Sequence, residues 1–356
     1  MTKVWFSSVA IRVLILCFWS SLILLFLYIP QIAYWFQDQK TISLLAWSKD
    51  IDRQIIASFE KETGIRVNVS YFEDYEEMFV KLRATKGQGY DVVFPSDYIV
   101  PLLIKEGLLQ KLDKTKLSFW KQIQPALLGK YYDSTNDYTI PFFWSIFGLG
   151  VDKDHFGGKV PPASWRLIFD EHITPGNIGM PHDAREISLI AAKYLFGSIE
   201  SLNEEKIKRI TELLLQQKKW VTMYTDTRAD FLLASKTCPI VLTLSDEIAR
   251  VMRRYPNIAF LIPEEGSFIV IDNIAIPIQS SKTNFVYQFI NYIYRADVQK
   301  KYIEKHLHLS PLEGVTPEEL IAILLIPSEE QLGKAEFFKD VIKDNQLNEI
   351  WISLKA

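Results

Sequence analysis

Residues 51–82 read IDRQIIASFEKETGIRVNVSYFEDYEEMFVKL and contain a helix, a strand and the start of a second helix. Apolar residues recur at helical spacing in the first part, and Gly64 follows them as a helix C-cap. From Ile65 to Tyr71 apolar and polar residues alternate, which is the pattern of a strand. Asp74 then opens the second helix, with Glu77 three residues further on. This alternation predicts an α/β fold.

The same rhythm extends over the rest of the chain. Apolar runs predict strands over 42–47, 90–94, 178–180, 239–244, 258–262 and 268–278. Helical patterns predict helices over 184–196, 203–217, 246–255 and 283–294. Strands that alternate with helices indicate parallel sheets covered by helices. A chain of 356 residues with 48% hydrophobic residues is long enough for two lobes, each with its own sheet.

Composition excludes several classes of protein. A formal net charge of −3 leaves no basic surface typical of nucleic-acid binding. The two cysteines, Cys17 and Cys238, exclude a disulfide scaffold, because Cys17 lies in the hydrophobic leader. The motifs G-x-S-x-G, H-E-x-x-H and G-x-x-x-x-G-K-[ST] do not occur. We therefore expect neither a hydrolase of these types nor a bound cofactor.

The first forty residues are interpreted as a leader. Val13 to Phe36 carries no charge and follows Lys3 and Arg12, which is the arrangement of an export signal. A run of 24 residues is also long enough to cross a bilayer as a helix. Residues 1–40 are thus either a cleaved signal peptide or an anchor in the inner membrane, and the folded part is expected in the periplasm.

Loops after strands are the place to look for a ligand, because open α/β sheets bind ligands beyond the carboxyl ends of their strands. Four such loops are rich in aromatic, hydroxyl and acidic side chains: 47–50 (WSKD), 95–98 (PSDY), 181–186 (PHDARE) and 270–273 (VIDN).

Around these loops the sequence resembles the periplasmic spermidine/putrescine-binding proteins of ABC importers. The resemblance runs from residue 42 to about residue 309 and is most specific in FEKETGIRVNVSYFEDYEEMFVKL, YDVVFPSDYIVPLLIKEGLLQKLDKTKL, DYTIPFFW, DAREISL and PEEGSFIVIDNIAIP. It implies a two-lobed periplasmic-binding-protein fold of type II, in which two crossovers join the lobes and the ligand cleft lies between them. One lobe would comprise 41–147 and 271–313, and the other 148–270 and 314–356.

The resemblance also implies a ligand and a site. The ligand would be a polyamine or another small cation, and the partner would be the permease of an ABC importer. Matched by position, the ligand-binding residues are Trp47, Ser48, Ser96, Tyr98, Asp183, Glu186 and Asp272. Carboxylates suit protonated amines that leave water, and aromatic faces attract ammonium groups.

Some positions depart from the family pattern. Lys49 stands where the family commonly has an acid, and Leu244 and Val270 stand where it has tryptophans. Trp144 is a further candidate, since it or another ring such as Tyr224 would compensate for the missing tryptophans. Asp50 or Asp97 would substitute for the missing acid, and Glu247 is a candidate because it falls near an acidic position of the putrescine-selective branch of the family. A different cation or a zwitterion stays open as the ligand.

Other interpretations compete with ligand binding. Asp183 and Glu186 have the spacing of a helix N-terminal capping box, which would explain both without a ligand. Two carboxylates in a cleft could also serve as the acid and base of an extracytoplasmic hydrolase. A membrane-tethered sensing module of the same fold is the stronger alternative. The pair Tyr131–Tyr132 is interpreted as packing, and His306 and His308 lack the companions of a metal site.

Overall fold

Nine strands form the sheet framework of the computed structural model, which describes residues 14–22, 40–47, 51–173, 176–225, 228–315 and 326–355. Their order is β2-β1-β3-β9-β4-β7-β5-β6, and β8 pairs with β4. The strands are β1 (Thr41–Trp47), β2 (Arg66–Phe72), β3 (Val92–Val93), β4 (Thr139–Asp152), β5 (Ile178–Met180), β6 (Val221–Tyr224), β7 (Ile240–Leu244), β8 (Ile258–Leu261) and β9 (Ile269–Ala275).

Helices cover the sheets and connect most of the strands. They are α1 (Arg53–Thr63), α2 (Tyr75–Thr85), α3 (Val100–Lys105), α4 (Arg166–Phe169), α5 (Ala184–Phe196), α6 (Glu204–Gln217), α7 (Ala229–Ala234), α8 (Ser245–Met252), α9 (Thr283–Ile293), α10 (Ala296–His306), α11 (Glu329–Gly333) and α12 (Asp344–Lys355).

Strand β4 joins the two halves of the structure. Its first half, from Thr139 to Ile146, pairs with β9, and its second half, from Phe147 to Asp152, pairs with β7 and β8. All fourteen of its residues are buried. The strand therefore runs through the interior and changes partners in the middle.

Two large hydrophobic cores lie on either side of this change of partners. The first draws on the chain between Ile42 and Phe143 and again between Ile274 and Leu312. The second draws on residues between Phe147 and Phe268 and again between Phe338 and Leu354. Each core is large enough to hold its own layer of helices against its sheet.

Helices α1 and α2 lie where the sequence pattern predicts them. Asp52 caps α1 by accepting a 2.7 Å hydrogen bond from the Gln54 amide, and Gly64 ends the helix with a φ of 70°. Asp74 caps α2 by accepting a 2.6 Å hydrogen bond from the amide of Glu77. Both caps satisfy backbone N–H groups that the helix itself leaves without partners.

Pairing of the strands differs from the expectation of parallel sheets. Strand β1 is parallel to β2 and β3, but β9 is antiparallel to both β3 and β4, and β4 is antiparallel to β7 and β8. Strands β4 and β6 were not among the predicted strands. Both sheets are mixed: in the first, β9 runs against β3 and β4, and in the second, β4 runs against β7 and β8.

Most of the leader predicted over residues 1–40 falls outside the described residues, so its role stays a prediction. Residues 14–22 are helical and exposed. Within the described part of the chain, none of the helices is both long and apolar enough to traverse a bilayer.

Candidate functional site

Asp272 lies at the centre of the candidate site. It stands on β9 opposite Phe143 of β4, and on its other side it forms an isolated bridge with Ser96, just beyond β3. The hydroxyl group of Tyr75 donates a 2.9 Å hydrogen bond to its Oδ1 atom. Four separate stretches of the chain therefore meet at this half-buried carboxylate.

The surroundings of Asp272 raise the pKa of its carboxyl group. Burial is the largest cause, and the neighbouring charge of Asp246 acts in the same direction. The charge of His308 and the hydrogen bond from Tyr75 act in the opposite direction. A cation brought next to Asp272 would stabilise its charged form further.

Asp97 fastens the loop after β3 to β9. Its Oδ2 atom accepts a 2.8 Å hydrogen bond from the amide of Ile271, and its own amide donates a 3.0 Å bond to the carbonyl of Ile271. Burial raises the pKa of Asp97 well above its usual value, the bond from Ile271 opposes this, and the charge of Asp272 raises it again. Ser96, beside it, is 1% exposed, and its Oγ atom has no hydrogen-bond partner among the described residues.

A series of aromatic rings extends from Asp272. Trp47, at the end of β1, contacts Phe72 and Tyr75 with ring centroids 5.7 and 5.5 Å apart. Tyr75 in turn contacts Tyr98 edge to face at 5.5 Å. Trp47 and Tyr98, both predicted to bind the ligand, thus flank Tyr75. Tyr75 in turn is hydrogen-bonded to Asp272, another of the predicted residues. Tyr75 was not among the residues predicted to bind the ligand.

The N-terminus of α5 lies against the other end of this aromatic series. Asp183 caps the helix by accepting bonds of 2.7 and 3.0 Å from the amides of Arg185 and Glu186. The Arg185 guanidinium lies over the ring of Tyr98, 5.6 Å from its centroid. Burial raises the pKa of Tyr98, and the charges of Glu76 and then Asp183 raise it further. The acidic loop of the second half therefore lies within electrostatic reach of Tyr98.

Asp246 is a further buried carboxylate near Asp272, and sequence analysis did not single it out. It lies in the first turn of α8, where its Oδ1 atom accepts a 2.9 Å hydrogen bond from Ser145. Its Oδ2 atom lies 3.4 Å from Arg250 and 3.6 Å from Nδ1 of His308. Asp246 is the first residue of the helix predicted over 246–255, where acidic residues are common, so the sequence did not mark it as part of the site.

The two weaker candidates, Trp144 and Glu247, have hydrogen-bond partners of their own. Trp144 pairs with Ile271, so it faces the opposite side of the sheet, and its indole N–H donates to the carbonyl of Ser310 at 3.1 Å. It borders a surface cavity of about 380 Å³ there. Glu247 is buried and accepts a 2.8 Å hydrogen bond from the Thr243 hydroxyl.

Ser48 and Lys49 lie outside the described residues, so their places in the site stay predictions. Tyr131 and Tyr132 both pack against Phe337, with centroids 5.5 and 6.2 Å apart, which agrees with the packing interpretation. In the parts of the chain that the structure describes, no cluster of three or more metal-ligating residues occurs.

Known proteins are similar in sequence to this chain over most of its length. The family described as bacterial extracellular solute-binding protein matches residues 54–322. A spermidine/putrescine-binding periplasmic protein of Salmonella typhimurium is 28% identical over 310 residues, which cover 85% of this chain and 88% of the relative. A putrescine/agmatine-binding protein of Pseudomonas aeruginosa is 30% identical and covers 73% of this chain and 75% of its own length.

Solved structures agree with the fold. The spermidine/putrescine substrate-binding protein PotD of Streptococcus pneumoniae superposes with a TM-score of 0.79 at 21% identity, over 88% of this chain and 98% of that one. The predicted two-lobed periplasmic-binding-protein fold is therefore confirmed. With this fold, and with a family match over most of its length, the chain belongs to the bacterial extracellular solute-binding proteins.

Proposed function

We propose that the protein captures a polyamine, of the spermidine or putrescine type, outside the cytoplasm and delivers it to an ABC-type permease. The observation that carries the proposal is the meeting of the half-buried Asp272 carboxylate with the aromatic series Trp47, Tyr75 and Tyr98. A protonated amine that leaves water needs a carboxylate partner, and a ring face adds about 0.5–2 kcal/mol. The names of the relatives support the same ligand class.

The proposed site comprises the predicted residues and two that the structure adds. The predicted residues are Trp47, Ser48, Ser96, Tyr98, Asp183, Glu186 and Asp272, with Trp144 and Glu247 as weaker candidates. Tyr75 and Asp246 join them because both interact with Asp272. The Oγ atom of Ser96, which has no partner within the described part of the chain, offers a buried hydroxyl group for a ligand amine. A ligand with two amines would place one at Asp272 and the other at Asp183 and Glu186.

The proposed mechanism is lobe closure upon binding, without catalysis. We assign 41–147 and 271–313 to one lobe and 148–270 and 314–356 to the other. The change of partners along β4, between Ile146 and Phe147, and the two separate cores support this division. Because a ligand shifts a conformational balance only by its different affinities for the two states, an amine held by both lobes favours the closed state.

The proposed location is the periplasm, with residues 1–40 as a cleaved signal or as an anchor in the inner membrane. Basic residues before the uncharged run support export of the folded part. The binding partner in the membrane would be the permease subunits of an ABC importer. Mass spectrometry of the protein purified from its membrane and periplasmic fractions would distinguish a cleaved leader from a retained one.

Calorimetric titration with putrescine, spermidine and spermine tests the function. We expect at least one of them to bind with micromolar or tighter affinity, which corresponds to about −8 kcal/mol. Asp272→Asn should weaken that binding at least tenfold, while Asp297→Asn, an exposed carboxylate paired with Arg295, should leave it unchanged. Absence of binding heat for all three polyamines would refute polyamine capture.

A further inference from the structure

His308 lies beside Asp272 because of how the chain leaves α10. The helix ends at His306, Leu307 takes a φ of 66°, and Leu309 exchanges backbone hydrogen bonds of 3.1 and 3.0 Å with Trp144. This path stacks the His308 ring on that of Phe143, with centroids 5.0 Å apart. Phe143 is the residue opposite Asp272 in the ladder, and opposite residues share a face of the sheet.

The imidazole of His308 therefore faces two carboxylates. Its Nδ1 atom lies 3.6 Å from Oδ2 of Asp246, and its charge acts on Asp272. The charge of Asp246 disfavours the charged form of Asp272, because like charges repel. Asp246 also has a cation beside it on the same helix, because the Arg250 guanidinium lies 3.4 Å from its Oδ2 atom.

On its other side His308 meets a second histidine, His306. The rings of His306 and His308 are parallel, with centroids 6.3 Å apart. Burial, followed by the charge of His308, lowers the pKa of His306 to about 4, so His306 is neutral near neutral pH. Beyond it lie Asp52 and Lys305, which pair with each other at 2.8 Å. Among the residues that the structure describes, the charged or titratable groups around His308 are thus Asp272 from β9, Asp246 and Arg250 from α8, and Asp52, Lys305 and His306 behind it.

We propose that His308 is a specificity-determining residue whose proton competes with a ligand ammonium group for Asp272 and Asp246. Neutral His308 leaves both carboxylates to the ligand, whereas protonated His308 supplies the positive charge itself. Histidine is the side chain whose charge ordinarily changes between about pH 5 and 8. Aliphatic amines stay protonated over that range, because they titrate near the value of lysine, about 10.4. This inference rests on the proposed polyamine function and adds the proton as a second cation of the same site.

Protonation of His308 and binding of the ligand must weaken each other reciprocally. A ligand cation that weakens protonation of His308 must itself bind more weakly when His308 is protonated, by the same factor. Coupling between two such sites typically amounts to a factor of about 5 to 150. Binding near the midpoint of the histidine titration must therefore release protons into the buffer.

Calorimetry of the full-length protein with putrescine and with spermidine tests the proposal at about pH 5.5, 6.5 and 7.5. We expect wild-type affinity to fall about tenfold from the highest to the lowest pH, with proton release on binding seen as a dependence of the heat on the buffer. His306→Gln should behave like wild type. His308→Gln should lose most of the pH dependence and all of the proton release linked to the histidine. A His308→Gln variant with the wild-type pH profile would overturn the proposal.

A measurement without ligand separates this proposal from the function on which it rests. The ring protons of His308 can be followed by NMR as the pH is lowered, in wild type and in Asp272→Asn. We expect the titration curve to move to lower pH in the variant, because the imidazolium loses one of its two negative neighbours. An unmoved curve would refute the coupling even if polyamines bind. Absence of polyamine binding at every pH, with a moved curve, would refute only the ligand class.

Discussion

The Tyr75 hydroxyl donates a 2.9 Å hydrogen bond to Asp272, a residue 197 positions further along the chain. Tyr75 is the first residue of α2, and its ring lies between those of Trp47 and Tyr98. One side chain therefore holds the central carboxylate and spaces the aromatic rings around it. The bond also favours the charged form of Asp272, which is the form that binds an ammonium group.

Tyr75→Phe keeps the ring and removes this hydrogen bond. We expect polyamine affinity to fall about fivefold at neutral pH, since one hydrogen bond to a charged group contributes about 1 kcal/mol or more. Calorimetric titration of the variant gives the value directly. The matched control is Tyr71→Phe, because Tyr71 lies exposed on β2 and should tolerate the change. Equal affinities for wild type and Tyr75→Phe would mean that Asp272 needs no support from Tyr75.

Asp183 caps α5, and its proposed role in ligand binding can be separated from that cap. Asparagine caps helices about as well as aspartate, so Asp183→Asn should fold with nearly wild-type stability. Without the negative charge, we expect polyamine affinity to fall about tenfold, or about 1.4 kcal/mol. The readouts are thermal denaturation and calorimetric titration of the same preparation.

A second capping residue serves as the control for stability. Asn203 caps α6 by accepting a 2.9 Å hydrogen bond from Lys206, and Asn203→Ala should cost about 1 kcal/mol without changing affinity. If Asp183→Asn binds polyamines as tightly as wild type, Asp183 is a cap and no more.

Sequence patterns predicted those elements whose signals are local. The caps at Asp74 and Gly64 depend on a few neighbouring residues, so they can be predicted directly from the sequence. Strand β4 was missed because Gly148 and Gly150 interrupt its apolar run, and glycine inside a run argues against a strand. Pro141 lies where the register of β4 shifts against β9, which further hides the strand.

Only part of the candidate site could be predicted from the sequence. Asp272 interrupts an apolar run, which indicates an unusual role for a carboxylate. Tyr75 and Asp246 fit the patterns of ordinary helices and gave no such indication. Their nearness to Asp272 depends on β9 pairing with both β3 and β4. Because that arrangement joins segments far apart in the chain, no pattern within a single segment reveals it.

Phe337 connects the two halves of the molecule on the side of Tyr131 and Tyr132. Its ring contacts both tyrosines, while the next residue, Phe338, stacks on Phe268 in the second core at 4.4 Å. Phe337→Ala should favour the open state and weaken polyamine binding about threefold to tenfold, since apparent affinity scales with the closed fraction.

Small-angle scattering of the ligand-free protein, together with calorimetry, measures both effects of Phe337→Ala. The radius of gyration should increase in the variant and return towards the wild-type value when saturating ligand is added. Phe231→Ala is the control, because Phe231 is 62% exposed on α7 and should affect neither quantity. A variant with weaker binding but unchanged scattering would contradict a role in closure.

Asp52 makes stability depend on pH at the acidic end. Burial raises the pKa of Asp52, but the bonds from Lys305 and from the amides of Gln54 and Ile55 outweigh it and lower the pKa overall. Its contribution is therefore present above the unfolded value of about 3.9 and lost as pH falls through the folded value. Asp52→Asn keeps the cap and should be about 1 kcal/mol less stable than wild type at pH 7.

Urea unfolding at several pH values tests this expectation for Asp52. The difference between wild type and Asp52→Asn should shrink steadily below about pH 4. Asp297→Asn is a suitable control, because it removes an exposed carboxylate whose ion pair contributes little. A difference that stays constant down to pH 2.5 would show that the charge of Asp52 does not stabilise the fold.

Gly148 lies on β4, just after the point where the strand changes partners. A Cβ atom there would meet the ring of Phe260 and would stand 2.5 Å from the carbonyl oxygen of Leu261, which is backbone and cannot move aside. Gly148→Ala should therefore lower the free energy of unfolding by about 3 kcal/mol, as measured by urea denaturation. Gly333→Ala is the control, since a Cβ atom there meets nothing within 4 Å and alanine favours the helix. Equal stability of the two variants would mean that β4 and β8 can separate at no cost, and that the crossing between the lobes is looser than this close approach implies.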